Sequence, residues 1–193
     1  MIVYLHGFRS SPASQKAQML ARRMVERGLA DRLWCEQLPF APVQAIELAE
    51  RAIAAAPSRP TLVGSSLGGY YATWLAEKHD LNAVLINPAV VASLPFADFV
   101  GSHTNLYTGE RFEFTPEHVA ELRRIEVGTI SKPERFWLLV ETADEVLDYR
   151  QAALKYVGAR QTVIEGGDHS FRHFGEFLDG ILDFAGLGAA TPV

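Results

Sequence analysis

Short apolar runs alternate along the chain with longer segments of helical periodicity. The runs are rich in β-branched and aromatic residues, and six of them are predicted strands: 2–5, 33–35, 61–63, 83–86, 136–140 and 162–164. Between them lie predicted helices at 14–27, 43–56, 68–78, 149–156 and 174–184. Near-continuous apolar strands are typical of a parallel sheet covered on both faces by right-handed crossover helices. The pattern therefore predicts a three-layer α/β/α sandwich with about six mainly parallel strands.

The alternation is interrupted between Pro88 and Pro133, where no strongly buried strand is predicted. The stretch 104–115 is polar and aromatic, with a predicted turn at 107–109, and Thr115 is a predicted N-cap for a short helix. This segment leaves the carboxyl end of one strand and returns at the next. We interpret 88–133 as a small lid-like insertion in a single α/β domain spanning 1–193. A packed excursion with no gating role fits the sequence equally well.

Composition narrows the class of protein. The chain has 193 residues and a formal net charge of −5. It therefore lacks the excess of basic residues that is typical of proteins that bind nucleic acid or an anionic membrane surface. No apolar run approaches the ~18–20 residues of a membrane span, and the apolar start at Met1 resembles no signal peptide. The single cysteine, Cys35, cannot form an internal disulfide. We expect a cytoplasmic protein without membrane partner, cofactor or metal, of unspecified oligomeric state.

The segment Gly64-Ser65-Ser66-Leu67-Gly68 matches the G-x-S-x-G nucleophile elbow. It follows a β-rich run and opens a helical pattern, which is the context that the motif needs. The glycines two residues before and after Ser66 remove side chains that would collide in such a sharp turn. Ser66 is therefore the predicted nucleophile, with Ser65 as a rival hydroxyl one residue off the glycine spacing.

A serine needs an adjacent base. His169 follows the last strand, in a glycine-containing loop at the predicted carboxyl edge of the sheet, and is the preferred base; His173 is the alternative. His79 is interpreted as a helix-end group, and the two histidines of the insertion, His103 and His118, as surface residues.

The base needs an acid to fix its tautomer. Asp144 follows the strand 136–140 and is preferred over Asp148, which we interpret as a helix N-cap, and over Glu145, which is expected to point elsewhere. The resulting order of serine, acid and histidine along the chain is that of α/β-hydrolases.

An oxyanion hole needs two N–H donors. The N–H of Leu67 follows the predicted nucleophile, and the N–H of Phe8, in the loop after the first strand, is the second predicted donor. His6 is interpreted as a residue that orients this loop by hydrogen bonding, although it could also be a base. For Arg9, contact with an anionic substrate group and simple exposure to solvent are equally open.

Five blocks of sequence together resemble the YqiA-like bacterial esterases, which are small α/β-hydrolases. The blocks are Tyr4–Phe8, Gly64–Ala72, Ile86–Ala89, Asp144–Arg150 and Gly166–Phe171, and the similarity extends through Asn105–Glu110. One departure is Ala143, where glycine is expected, which matters only if the loop needs a positive φ there. The resemblance implies hydrolysis of short acyl esters, with acyl thioesters as a related substrate class.

The sequence thus predicts a serine esterase that acts through Ser66, His169 and Asp144 on a small acyl ester or thioester. The alternative is an α/β-hydrolase fold used for binding, with weak or no catalysis, because fold alone does not determine function. A peptidase and a metal-dependent hydrolase are disfavoured, since neither a peptide groove nor paired metal ligands are indicated. Five aromatic residues are candidates for the acyl pocket: Phe8, Tyr70, Tyr71, Tyr107 and Phe112. Of these, Tyr70 and Tyr71 could equally belong to the core.

Overall fold

A six-stranded parallel sheet forms the centre of the molecule. The computed structural model describes residues 1–90 and 99–188. The sheet has the order β2-β1-β3-β4-β7-β8. Its strands are β1 (Ile2–Leu5), β2 (Leu33–Trp34), β3 (Thr61–Ser65), β4 (Asn82–Ile86), β7 (Phe136–Glu141) and β8 (Arg160–Ile164), and every neighbouring pair is parallel.

Helices cover both faces of the sheet. They are α1 (Gln15–Glu26), α2 (Pro42–Ala55), α3 (Leu67–His79), α4 (Pro116–Arg124), α5 (Tyr149–Lys155) and α6 (Leu178–Phe184). Helices α2 to α5 pack in one apolar cluster with one set of strand side chains, and α1 and α6 pack in a second cluster with the alternate set. Successive side chains of a strand point to opposite faces of the sheet, so a strand buried on both faces contributes alternately to the two clusters. The predicted three-layer α/β/α sandwich is confirmed.

The predicted elements differ from the observed ones mainly at their ends. The second strand has only two residues, Leu33–Trp34, and the predicted last helix is a 3₁₀ helix, Arg172–Phe177, continued by α6. Asp148 caps α5, as predicted, by accepting the Arg150 N–H.

The insertion contains a β-hairpin that the sequence did not indicate. Strands β5 (Gly101–Thr104) and β6 (Arg111–Phe114) pair antiparallel, and α4 follows directly. Thr115 and His118 form a capping box at the start of α4. Residues 91–98 of the predicted insertion, and 189–193 of the predicted domain, lie outside the described residues.

The sheet order locates the best position for a site. From β1 the chain moves outward to β2, and from β3 it proceeds through β4, β7 and β8 on the other side. In open α/β sheets, ligands bind outside the carboxyl ends of the strands at such a reversal. The loops that follow β1 and β3 carry His6, Gly7, Phe8 and Ser66, so these predicted site residues meet at the switch point.

Candidate active site

Ser66 lies on a sharp turn between β3 and α3. Its backbone has φ 55° and ψ −121°, outside the regions that most residues adopt. A Cβ on Gly64 would collide with the Gly68 carbonyl, and a Cβ on Gly68 would collide with the Leu5 carbonyl of β1. The two glycines therefore allow helix α3 to start close against the sheet, and Ser66 is held at the carboxyl edge.

Ser66, His169 and Asp144 form one hydrogen-bonded chain. Ser66 Oγ lies 3.0 Å from His169 Nε2, and His169 Nδ1 lies 2.8 Å from Asp144 Oδ2. The rival Ser65 is only 5% exposed, whereas Ser66 is half-buried at the site. Because Nδ1 faces a carboxylate, the neutral ring carries its proton there and leaves Nε2 free to accept from Ser66.

The acid next to His169 is held by its own loop. Asp144 is 2% exposed at its side chain, and its Oδ1 accepts the N–H groups of Val146 and Leu147. Asp148 instead binds Arg150, which lowers the pKa of its carboxyl group. The expectation for Glu145 needs correction, because its carboxylate accepts the backbone N–H of His169 and so contacts the same loop.

Glu141, at the end of β7, anchors the loop that carries His169. This carboxylate is fully buried and accepts the Asp168 N–H, the His173 N–H and His173 Nδ1–H. Burial raises its pKa, but these hydrogen bonds outweigh burial and the pKa is lowered overall. Gly167 has φ 73°, and a Cβ there would overlap the Glu141 carboxylate, so glycine is needed for this approach.

Asn87 links three parts of the site through a buried amide. Its Nδ2 donates to the Asp168 and His169 carbonyls, and its Oδ1 accepts the Glu141 N–H.

Two further expectations concern the same loops. His173, the alternative base, is hydrogen-bonded to Glu141 and makes no hydrogen bond to Ser66 among the described residues. Ala143 has no positive φ, so alanine in place of the expected glycine fits this loop.

His6 holds the loop that carries Phe8. It is buried, its Nε2 accepts the Leu38 N–H at 3.0 Å, and its Nδ1 lies 3.0 Å from the Gly7 carbonyl. Burial lowers the pKa of His6, so the neutral ring donates Nδ1–H to Gly7 O. In a trans peptide the C=O and N–H point in opposite directions. The bond to the Gly7 carbonyl therefore also fixes the direction of the Phe8 N–H.

The two predicted oxyanion donors border Ser66. A Cβ on Gly7 would lie 3.2 Å from Ser66 Cβ and 3.7 Å from its Oγ, so the loop after β1 lies directly against the serine. Within residues 1–90 and 99–188, neither the Phe8 N–H nor the Leu67 N–H has a protein acceptor. Both groups are thus available to a bound oxygen atom.

The hairpin is fastened to the same loop. Leu106 N–H donates to the Arg9 carbonyl, Arg9 Nε donates to the Thr104 carbonyl, and Asn105 Nδ2 donates to the Ser10 carbonyl. Asn105 is 6% exposed, and its Oδ1 also accepts two N–H groups of the hairpin turn. Arg9 is therefore used in an intramolecular bond, which favours a structural role for its guanidinium.

The Phe8 ring is embedded in aromatic side chains of the insertion. Its centroid lies 4.9 Å from those of Phe99 and His103 and 5.3 Å from that of Phe114. His103 and His118 are half-buried and pack on these rings, so their interpretation as surface residues was wrong. Aromatic side chains on either side of and within the hairpin thus support the loop after β1.

Two cavities open on either side of this loop. The histidine-side cavity, about 190 Å³, contains both Ser66 and His169, and is also lined by Lys16, Tyr107 and Ser170. The phenylalanine-side cavity, about 320 Å³, begins beyond Phe8 and Leu67. Its lining is mixed: apolar side chains, among them Leu38, Phe40, Tyr71 and Phe112, alternate with polar and charged ones, among them Arg9, Gln44 and Glu110.

The cavities divide the aromatic residues that the sequence singled out. Tyr71 and Phe112 line the phenylalanine-side cavity, whereas Tyr107 lines the histidine-side cavity. Tyr70 is a core residue whose hydroxyl donates to the Leu122 carbonyl.

Lys16, which also lines the histidine-side cavity, was not identified as a site residue from the sequence. The sequence held one signal for it. Lys16 lies in the first turn of α1, next to Ala17, which is buried together with Leu20 and Met24.

Loss of the His6 ring should impair the Phe8 donor. If esters are turned over here, His6→Ala is expected to lower kcat about 10²-fold with a smaller change in KM, because a misaligned oxyanion donor acts on the transition state. His6→Asn, which retains a donor near the position of Nδ1, should keep more activity. Steady-state kinetics on one short ester checks this; equal, small losses in both variants would show that the ring has only a packing role.

Comparison with known proteins identifies the fold. A family model described as "Uncharacterised protein family (UPF0227)" matches residues 1–186. Mouse alpha/beta hydrolase domain-containing protein 10 is 18% identical, with a TM-score of 0.69 over 94% of this chain and 87% of that one. A monoacylglycerol lipase from Paleococcus ferrophilus is 17% identical, with a TM-score of 0.69 over 95% and 93%.

An esterase domain of a Rhodothermus marinus protein has 18% identity and a TM-score of 0.67 over 95% and 85% of the two chains. At these identities the likeness establishes the α/β-hydrolase fold. In the described part of the chain, no helix has the length and apolar character needed to cross a bilayer.

Proposed function

Because the chain belongs to UPF0227, the family that the resemblance to YqiA-like proteins indicated, and has the α/β-hydrolase fold, we propose that it is a serine esterase acting on short acyl esters. Acyl thioesters are a related substrate class for the same chemistry. The observation that carries this proposal is the continuous chain from Ser66 Oγ through His169 to Asp144, with distances of 3.0 and 2.8 Å. Such a chain activates a hydroxyl that is otherwise a poor nucleophile.

In the first half-reaction, Ser66 Oγ attacks the acyl carbon while its proton passes to His169 Nε2. Asp144 stabilises the imidazolium that forms and keeps the ring oriented. The carbonyl oxygen becomes negative and accepts from the Phe8 and Leu67 N–H groups, the second of which lies at the N-terminus of α3. His169 then gives the proton to the leaving oxygen or sulfur, and Ser66 carries the acyl group.

In the second half-reaction, water attacks the acyl-enzyme. His169 takes one proton from the water, the tetrahedral intermediate again uses the same two N–H groups, and the proton is returned to Ser66 Oγ. The products are a carboxylic acid and the free alcohol or thiol. The hairpin forms one wall of the site, and we assign it the role of a cover that sets substrate size.

The two cavities correspond to the two sides of the scissile bond. The leaving group must lie within reach of His169 Nε2, and the cavity that contains His169 is the smaller one, lined by Lys16, Tyr107 and Ser170. The phenylalanine-side cavity combines apolar side chains such as Phe40 and Phe112 with polar ones such as Gln44, borders the oxyanion donors, and has neither Ser66 nor His169 in its lining. We therefore assign the acyl chain to the phenylalanine-side cavity.

Truncation of Phe112 should change chain-length preference. Phe112 stacks on Phe40 with ring centroids 4.8 Å apart, so the two rings form one apolar wall. Loss of contact with two methylenes at roughly 0.8 kcal/mol each predicts about a 15-fold loss of kcat/KM for long acyl chains relative to acetate in Phe112→Ala. The matched control is Tyr107→Ala, on the other cavity, which should leave the chain-length profile unaltered; uniform losses over the series in Phe112→Ala would contradict this assignment.

The activity itself is tested with a graded panel of 4-nitrophenyl esters and acyl thioesters, with Ser66→Ala as the blank. We expect turnover of short acyl esters well above that blank. Rates equal to the blank across the whole panel would favour the alternative, in which the fold serves for binding without catalysis.

A further inference from the structure

Lys16 introduces a positive charge into the cavity that contains the predicted nucleophile. It lies on the first turn of α1, and its ammonium donates to the Ser170 carbonyl at 2.7 Å. Ser170 directly follows His169 in the chain. The lysine therefore lies on the side of the site where His169 would protonate a leaving group.

No carboxylate in the described part of the chain pairs with this ammonium group. Among the described residues, no ion pair involves Lys16, and Ser170 is its one hydrogen-bond partner. An ammonium has three donors, so two remain for other acceptors. Of residues 1–90 and 99–188, no acidic side chain lines the histidine-side cavity.

The nearest carboxylates are engaged elsewhere. Asp168 binds Arg172, Glu141 binds His173, and Asp144 binds His169. Burial lowers the pKa of Lys16 to about 8, although the charges of these three carboxylates raise it. At neutral pH the ammonium is mostly charged and partly desolvated, which is the condition in which a lysine binds an anion strongly.

We propose that Lys16 makes this site selective for esters whose leaving alcohol or thiol carries a negative charge. The inference rests on the proposed esterase function and specifies its substrate class. The anion would accept from the free Lys16 donors in the histidine-side cavity, while the acyl chain occupies the phenylalanine-side cavity. The bond broken is still the acyl ester bond, and the products are a carboxylic acid and the anionic alcohol or thiol.

The test compares two ester pairs matched in shape. The first pair places the charge on the leaving group: 4-carboxyphenyl butyrate against the neutral 4-carbamoylphenyl butyrate. The second places it on the acyl group: 4-nitrophenyl hydrogen succinate against 4-nitrophenyl butyrate. The quantity measured is the ratio of kcat/KM for the charged ester over its neutral partner, in the wild type and in Lys16→Met.

We expect the leaving-group ratio to fall about tenfold or more in Lys16→Met, because a charge-assisted hydrogen bond is lost. The control is Lys132→Met, which removes the same charge from an exposed lysine bound to Asp80 near the start of β7, at the opposite edge of the sheet. Its ratio should equal that of the wild type. Equal losses on both esters of the pair would show that Lys16 merely holds the Ser170 carbonyl, and would overturn the proposal. A larger change in the succinate ratio would overturn it too, since the anion would then belong to the acyl group.

The wild-type protein offers a second measurement that does not depend on the folding of a variant. Any effect of pH that acts equally on both esters cancels in the leaving-group ratio. It should decline between about pH 7 and pH 10 as Lys16 loses its proton, with a midpoint at about pH 8. A ratio constant over this range would contradict the proposal. Failure of the esterase function itself has a different signature, since neither pair would then be hydrolysed faster than by Ser66→Ala.

Discussion

Ser66→Ala is expected to lower kcat on short esters by about 10⁴-fold or more, with KM little changed. The substitution removes the hydroxyl that lies 3.0 Å from His169 Nε2. The Phe8 and Leu67 donors remain, so a small residual rate above that in water is expected. Alanine is smaller than serine and Ser66 is half-buried, so the fold should persist.

Ser65→Ala is the matched control for this variant. Ser65 is adjacent in sequence and buried at 5% exposure, at the end of β3. The kcat of the Ser65→Ala variant should stay within about threefold of the wild-type value, because the Ser65 hydroxyl makes no hydrogen bond to His169 in the described part of the chain. A large loss in Ser65→Ala together with a small one in Ser66→Ala would show that the nucleophile is misassigned. Thermal unfolding midpoints of both variants verify that the fold is retained.

The second large effect is expected for Asp144→Asn, which should lower kcat by about 10³- to 10⁴-fold. Oδ1 of Asp144 accepts the N–H groups of Val146 and Leu147, so an asparagine oxygen would take that position and the NH₂ group would face His169. An N–H donor facing Nδ1 forces the ring proton onto Nε2. His169 could then no longer accept the proton of Ser66.

Asp148→Asn is the matched control because it makes the same chemical change four residues away. Asparagine is as good an N-cap as aspartate, so α5 should keep its cap. Turnover within about threefold of the wild type is expected. If the loss appears in Asp148→Asn and not in Asp144→Asn, the assignment of the acid is incorrect.

Much of the fold follows from local patterns. Six apolar runs became six parallel strands because each is short, β-rich and bounded by turn residues, and the glycines around Ser66 mark a turn that tolerates no side chain. The N-cap position of Thr115 was also predicted from the sequence, whereas the capping box that it forms with His118 was not. These features depend on residues within a few positions of one another.

The rest depends on contacts between distant segments. In the hairpin of β5 and β6, half of the side chains are exposed and only Phe114 is fully buried, so its residues give a weak signal of burial. Its position depends on hydrogen bonds to the distant loop after β1. Lys16 and Ser170 are 154 positions apart, and only the folded sheet brings the lysine to the loop of His169. The buried role of Glu141 also needs the fold, because three of its hydrogen bonds come from the loop beyond β8.

The central claim is that Ser66 is a nucleophile activated by His169. Labelling with a fluorophosphonate probe, followed by peptide mapping by mass spectrometry, tests it without any assumption about the substrate. We expect one phosphonylated serine, Ser66, and a labelling rate that falls steeply in Asp144→Asn. Label on Ser65, or an unlabelled Ser66 in a protein that still hydrolyses esters, would contradict it.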